Sequence, residues 1–240
     1  LGPIVATRAV LAEWLGLTML LLAWPFGLLR WPDHSAVAGT NHSIVLIHGW
    51  GLNAASLWLL RRRLVARGCG SVRIFTYSTR RVDVERAAER LRDFLAELQR
   101  ECPTQVTLIG HSLGGLVARY CLRRYPAHGV RRLITLGTPH HGTSAARVGY
   151  RIGRLVPESP LLRRLNTGDH VPDQFEVIAI SSSFDALVTP PGNADYPGAF
   201  NIRIRDVGHN ALLFSPRVFT LIAENLGSAV AAPAAQLTGR

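Results

Sequence analysis

Lysine is absent from this sequence, so all 27 of its basic residues are arginine. Acidic residues number only 16, and the formal net charge at neutral pH is +11. A surface this basic attracts anionic partners, either phospholipid headgroups or nucleic acid. The arginines form no single tract, and neither zinc-finger spacing nor an aromatic RNA-binding strand motif accompanies them. That favours a membrane surface over nucleic acid as the partner, while for any single arginine the plainer reading is a solvated surface residue. Cysteine is also scarce. Cys69, Cys102 and Cys121 are an odd number at unrelated spacings, which supplies neither a metal-ligand pattern nor a disulfide framework and leaves room for one bridge at most.

The 240 residues suffice for one well-buried α/β domain and are too few for two comfortable ones. Hydrophobic residues make up 48% of the chain, and much of the excess lies in an apolar N-terminal segment, residues 1–30. Its run 9–29 is flanked by Arg8 and Arg30. As a helix rising about 1.5 Å per residue it spans roughly 30 Å, the thickness of a bilayer core. Trp14, Trp24 and Trp31 lie toward its ends, where amphipathic rings suit the interface. Against a span stand Glu13, expensive deep in lipid, and Pro25, which kinks the last turn. Three readings remain open: a single membrane anchor, a signal peptide cleaved near residues 36–38, and a helix lying in the interface or on the domain. Residues 31–42 read as a linker.

From residue 43 the pattern alternates. Strands are expected at 43–47, 72–77, 104–109, 131–136, 174–180 and 200–205, with helices at 53–66, 83–101, 116–122 and 215–226. The first strand is wholly apolar, the kind buried inside parallel sheets. In the helix at 83–101, Val84, Ala87, Ala88, Leu91, Leu95 and Leu98 recur at helical spacing, giving it one face for the sheet. Such alternation predicts a doubly wound, largely parallel sheet in one domain, residues 43–226. An interruption at about 143–173 contains a helical pattern at 145–156 and a short helix at 161–166. It falls over the carboxyl ends of the strands, as a candidate cap or as an ordinary pair of packing helices. Residues 227–240 form a tail rich in small residues.

The densest motif is Gly110-His111-Ser112-Leu113-Gly114-Gly115. It fits Gly-x-Ser-x-Gly and sits between an expected strand and an expected helix, the context of a nucleophile elbow that holds a serine hydroxyl at the carboxyl edge of a sheet. A serine needs a base to take its proton and an acid to orient the base. Asp185 and His209 each lie just past an expected strand, so both fall on the same edge as Ser112. Asp195 lies farther from the strand end, Asp173 precedes its strand, and Asp206 is too near His209 in sequence to reach its far nitrogen. His140 and His141 precede Asp185, and His111 adjoins the serine with its side chain directed elsewhere. The loop His48-Gly49-Trp50-Gly51 follows the first strand, where an oxyanion loop belongs. The expected donors are the backbone N–H groups of Trp50 and Leu113, with His48 stabilising the loop.

These segments, with Leu136-Gly137-Thr138-Pro139-His140-His141-Gly142-Thr143, Asp185-x-Leu187-Val188-x-Pro190 and Gly208-His209, resemble the bacterial lipase and esterase branch of the α/β-hydrolase superfamily; similar segments occur in glycosylphosphatidylinositol-inositol deacylase-like hydrolases. The resemblance covers residues 43–226. It implies an α/β-hydrolase fold lacking the superfamily's first two strands, with a mostly parallel sheet flanked by helices and a short helical cap. It further implies a carboxylic ester hydrolase with Ser112, Asp185 and His209 at the triad positions. Many secreted bacterial lipases bind calcium through an aspartate two residues after the catalytic histidine; here Ala211 stands there, so no metal and no cofactor are expected. The expected substrate is an acyl ester or lipid. The expected location is a bacterial membrane, through the N-terminal anchor, or a secreted or periplasmic site if that segment is a signal peptide. An acyltransferase or thioesterase using the same residues, and a non-catalytic lipid-binding protein of the same fold, are the alternatives.

Overall fold

The computed structural model describes residues 3–28, 42–79, 83–147, 150–168 and 175–230. Most of the expected linker, the segment 36–38, Trp31, Asp173 and the last ten residues of the tail lie outside them.

Six strands form one sheet: β1 (His42–Ile47), β2 (Ser71–Phe75), β3 (Gln105–His111), β4 (Val130–Leu136), β5 (Glu176–Ser182) and β6 (Phe200–Ile204). Their order is β2-β1-β3-β4-β5-β6, and every neighbouring pair is parallel. The central strands are buried on both faces, which is why they read as unbroken apolar runs. Alternate side chains feed two separate cores. Val45, Ile47, Leu108 and Leu133 point to one, and Ile44, Leu46, Ile109 and Ile134 to the other.

The first core is closed by α3 (Val84–Glu101) and α4 (Leu113–Arg124). Asp83 caps α3 by accepting from the Arg86 N–H at 3.0 Å, and all six of its expected apolar positions are buried. The second core is closed by α2 (Trp58–Ala66) and α6 (Pro216–Val230). Asn53 caps the 3-10 turn that leads into α2, and α6 runs four residues past its expected end. The three cysteines are free thiols.

The stretch at 145–156 is not one α-helix but two 3-10 turns, Ser144–Arg147 and Tyr150–Leu155. Glycine at 153 weakens helix formation there, and the Thr143 N–H donates to the Leu155 carbonyl at 2.8 Å, folding the segment back on itself. The short helix α5 (Pro160–Asn166) does form, capped by Ser159 with Pro160 in its first turn. Its Leu161, Leu162 and Leu165 enter the first core.

The N-terminal segment forms α1 (Pro3–Ala23) followed by a 3-10 turn, Trp24–Leu28. Its stretch Ile4–Gly27 has a mean hydropathy of 1.6 and is long and apolar enough to cross a membrane. The helix nevertheless docks on the domain. Ala9, Gly16 and Leu20 are buried along one stripe, Trp24 Nε1 donates to the Gly51 carbonyl, and Asn53 Nδ2 donates to the Trp24 carbonyl. The opposite face, with Leu11, Trp14, Leu15, Leu21 and Leu22 all more than 60% exposed, is open.

Candidate active site

The elbow follows from how tightly β3 turns into α4. His111 ends the strand, Leu113 begins the helix, and Ser112 alone makes the turn at φ 51°, ψ −120°. A serine gains nothing locally from that conformation, which costs about 1–3 kcal/mol and persists only where its surroundings impose it. Here the Ser112 N–H donates to the Leu136 carbonyl at 2.8 Å, and Thr138 Oγ1 donates to the Ser112 carbonyl at 3.0 Å. A Cβ at Gly114 would lie 2.4 Å from the Ile47 carbonyl oxygen, so only glycine lets α4 lie this close to β1. The loop after β1 approaches from the other side, where a Cβ at Gly49 would lie 3.1 Å from the Ser112 Cβ.

Asp185 and His209 arrive from the loops after β5 and β6, and both are buried. Asp185 Oδ1 accepts from the N–H groups of Leu187 and Val188 at 2.9 and 2.8 Å, which aims Oδ2 at His209 Nδ1, 2.6 Å away. With a carboxylate as partner, His209 Nδ1–H is the donor in this contact, and Nε2 takes no part in it. The other carboxylates are engaged elsewhere: Asp195 pairs with Arg203 and Asp206 with Arg217. His140 is fully buried between Thr135, Arg119 and the Tyr196 ring, and burial holds it neutral, well below the ordinary histidine range.

Two further histidines frame this group. His48 is held by Nδ1–H donation to the Gly49 carbonyl at 3.0 Å and by stacking on Tyr77, as a loop-stabilising residue. Burial lowers its pKa to about 4. His111 does not point away from the site as its place beside the serine suggests. Its Nε2–H donates to the main-chain carbonyl of His209 at 3.2 Å, and burial, reinforced by the neighbouring His209, lowers its pKa to about 3. The residue beside the serine thus braces the loop of the histidine.

Ser112, His111 and His209 open into one pocket of about 110 Å³ with Gly49, Trp50 and Leu155. Trp50 and Leu187, 40% and 49% exposed, form its outer rim. Leu113 opens α4, so its N–H has no acceptor within the helix; Trp50 directly follows Gly49, which lies against the serine. The expected cap divides in two: Thr143, Ala145 and Leu155 line the pocket, whereas α5 packs into the core. Among the described residues no three His, Cys, Asp or Glu side chains are grouped to hold a metal ion. The amide of Ala211 donates to Glu13 of α1. That contact across the chain has no local sequence signal beyond one carboxylate in an apolar run.

A sequence model of the family described as the alpha/beta hydrolase family matches residues 44–205, more than half of the chain. Over 113 residues the chain is 31% identical to a pimeloyl-acyl-carrier-protein methyl ester esterase of Shewanella oneidensis, covering 45% of this chain and 39% of that protein. Over 57 residues it is 35% identical to a lysosomal thioesterase PPT2 homolog of Drosophila melanogaster, covering 24% and 20%. The chain therefore spans less than two thirds of the length of either relative. Among solved structures, the mature Bacillus licheniformis lipase BlEst2 matches with a TM-score of 0.68 at 18% identity, over 82% of this chain and 95% of that one. Aspergillus fumigatus lipase B matches with a TM-score of 0.69 at 16% identity, over 83% and 55%. At such identities the likeness is one of fold.

Proposed function

The chain belongs to the alpha/beta hydrolase family, and from that premise we propose that it is a membrane-associated serine esterase or lipase that cleaves acyl esters through an acyl-enzyme on Ser112. The buried 2.6 Å contact between Asp185 and His209, in the loops beside a strained serine, carries this reading. Nε2 of His209 takes the Ser112 Oγ proton as Oγ adds to the ester carbonyl carbon. The oxyanion so formed meets the N–H groups of Trp50 and Leu113. Collapse expels the alcohol, which leaves with the proton held on His209, and Asp185 stabilises the transient imidazolium. Water, deprotonated by His209 in turn, then releases the acid and restores Ser112.

The outer face of α1 supports a lipid surface as the working site. It is apolar, it is joined through the Trp24–Gly51 contact to the loop bearing Trp50, and the chain carries an excess of arginine. With its stripe at Ala9, Gly16 and Leu20 held against the domain, the helix would lie flat in the interface, not stand across the bilayer. A thioesterase is the second reading, favoured by the likeness to the Drosophila protein over 57 residues.

The test is hydrolysis of p-nitrophenyl esters from short to long acyl chains, and of an acyl thioester, by the detergent-solubilised chain beside Ser112→Ala. The wild type is expected to turn over and to react with a fluorophosphonate; the variant is expected to lose at least about 10⁴-fold in kcat and all labelling. Faster turnover of the thioester would select the second reading. A chain inert to every ester and left unlabelled would instead be a non-catalytic lipid-binding platform.

A further inference from the structure

Glu13 is the one acidic residue in a long apolar helix, and it faces the domain. Its Oε1 and Oε2 accept from the Asn210 N–H at 3.0 and 2.9 Å, Oε1 also accepts from Asn210 Nδ2 at 2.7 Å, and Oε2 accepts from the Ala211 N–H at 3.0 Å. Asn210 and Ala211 open the 3-10 turn Asn210–Leu213, with His209 at its cap position. The first N–H groups of such a turn have no partner within it. A carboxylate that takes both, together with the Asn210 amide, makes charge-assisted bonds that fix the main chain at the residue after the base.

The fit extends to both sides of His209. A Cβ at Gly208 would lie 2.4 Å from Glu13 Oε2, so the carboxylate rests directly on the residue before the histidine. A Cβ at Gly16, one turn along α1, would lie 3.0 Å from the Ala211 nitrogen. His111 holds the His209 carbonyl from the elbow side. The main chain at 208–211 is therefore clamped between the elbow strand and a helix 197 residues away in sequence.

We infer that Glu13 is a positioning residue for His209, so that α1 is a working part of the active site and not only a tether. This rests on His209 being the general base of the proposed reaction. An imidazole displaced by about 1 Å from its nucleophile costs about 100-fold in rate, and Glu13 is the group that prevents that displacement from the N-terminal side.

The test measures kcat and KM for p-nitrophenyl acetate, a soluble ester that needs no membrane, and the rate of fluorophosphonate labelling per folded molecule. The wild type, Glu13→Ala, Glu13→Gln and Leu20→Ala are compared, with thermal melting for each. Leu20 is buried on the docked face of α1, about two turns beyond Glu13; its truncation loosens the docked helix without removing the carboxylate. Glu13→Ala is expected to lower kcat and labelling about 100-fold with KM within about twofold. Glu13→Gln, which keeps one acceptor oxygen but turns an amide toward Asn210, is expected to lie between, about tenfold down. Leu20→Ala is expected to melt earlier with kcat retained. A Glu13→Ala chain within threefold of wild-type kcat overturns the inference, and so does a loss in Leu20→Ala that matches it. Where Glu13→Ala does not fold, Glu13→Gln decides: wild-type kcat in that variant overturns the inference. If the wild type itself is neither labelled nor active, the esterase reading has failed, and the inference falls with it.

Discussion

Helices α1 and α3 are the two longest among the described residues, 21 and 18 residues, and they solve opposite problems. In α3 six apolar residues, Val84, Ala87, Ala88, Leu91, Leu95 and Leu98, form one buried stripe with the half-buried Phe94 packed beside it, and charged side chains cover most of the rest. In α1 the stripe that meets the domain is narrow and partly polar, built on Ala9, Glu13, Gly16 and Leu20, while Leu11, Trp14, Leu15, Leu21 and Leu22 face outward. A helix apolar all round is not finished by the contacts within this chain. On the proposed reading the same secondary structure serves two solvents: α3 has water outside, α1 an apolar phase. The difference also locates the polar group of each helix. Glu85 of α3 is half-buried and pairs with the exposed Arg154 and Arg164, whereas Glu13 of α1 faces inward because the outward side has no water for it in the proposed setting.

If that contrast holds, disturbing the inner face of α3 has the largest effect on stability. Leu91 is fully buried, and Leu91→Ala is expected to cost about 2–5 kcal/mol, through lost apolar burial and the cavity left behind; urea unfolding followed by circular dichroism measures it. A cost under 1 kcal/mol would mean that α3 is less completely closed than its contacts indicate. Acid tests the surroundings of Ser112, at His48 and His111. Both are held neutral when folded, with pKa values lowered to about 4 and about 3 from the ordinary 6.5. Both become charged in the unfolded chain as the pH falls below 6.5, so the stability they contribute is complete above that pH and is lost as it falls toward 4 and 3. At pH 5 each is expected to have cost about 2 kcal/mol relative to pH 8. Replacing His111 by Gln removes its share, so the variant's stability should fall less steeply between pH 8 and 5 than the wild type's. Equal slopes would show that His111 is not held neutral.

The sheet is legible in the sequence because strands buried on both faces read as unbroken apolar runs, and the helices between them carry their caps and turns locally: Asn53, Asp83, Ser159 with Pro160. The elbow is legible for the same reason, since Gly110 to Gly115 encode a tight turn within a few residues. The meeting of Asp185 with His209 follows from chain order once both are placed at strand ends. What the sequence conceals is contact between distant segments. Glu13 reads there only as a cost to a membrane span, and nothing within twenty residues hints at Asn210. His111 reads as turned away from the site because a single chain direction cannot show that β6's loop comes back over β3. The stretch 145–156 has helical periodicity, but the bond from Thr143 to Leu155 competes with that local preference and wins.

The smallest effect on stability, and the sharpest test of the contrast, lies on the outer face of α1. Leu11 and Leu22 are 64% and 70% exposed, so Leu11→Ser and Leu22→Ser should change the stability of the detergent-free folded domain by no more than about 0.5 kcal/mol. Their cost should appear instead on a bilayer. Seating a leucine in an apolar phase contributes at least about 1.5 kcal/mol, so each substitution should weaken binding to vesicles of phosphatidylethanolamine and phosphatidylglycerol about tenfold, as read by co-sedimentation. The corresponding change on α3, Arg90→Ser on its exposed face, should alter vesicle binding far less, through charge alone and only at low salt. If the leucine variants bind vesicles as well as the wild type, the outer face of α1 is not where lipid sits. The difference between the two helices would then need another apolar partner, with the docking of α1 through Ala9, Glu13 and Gly16 left in place.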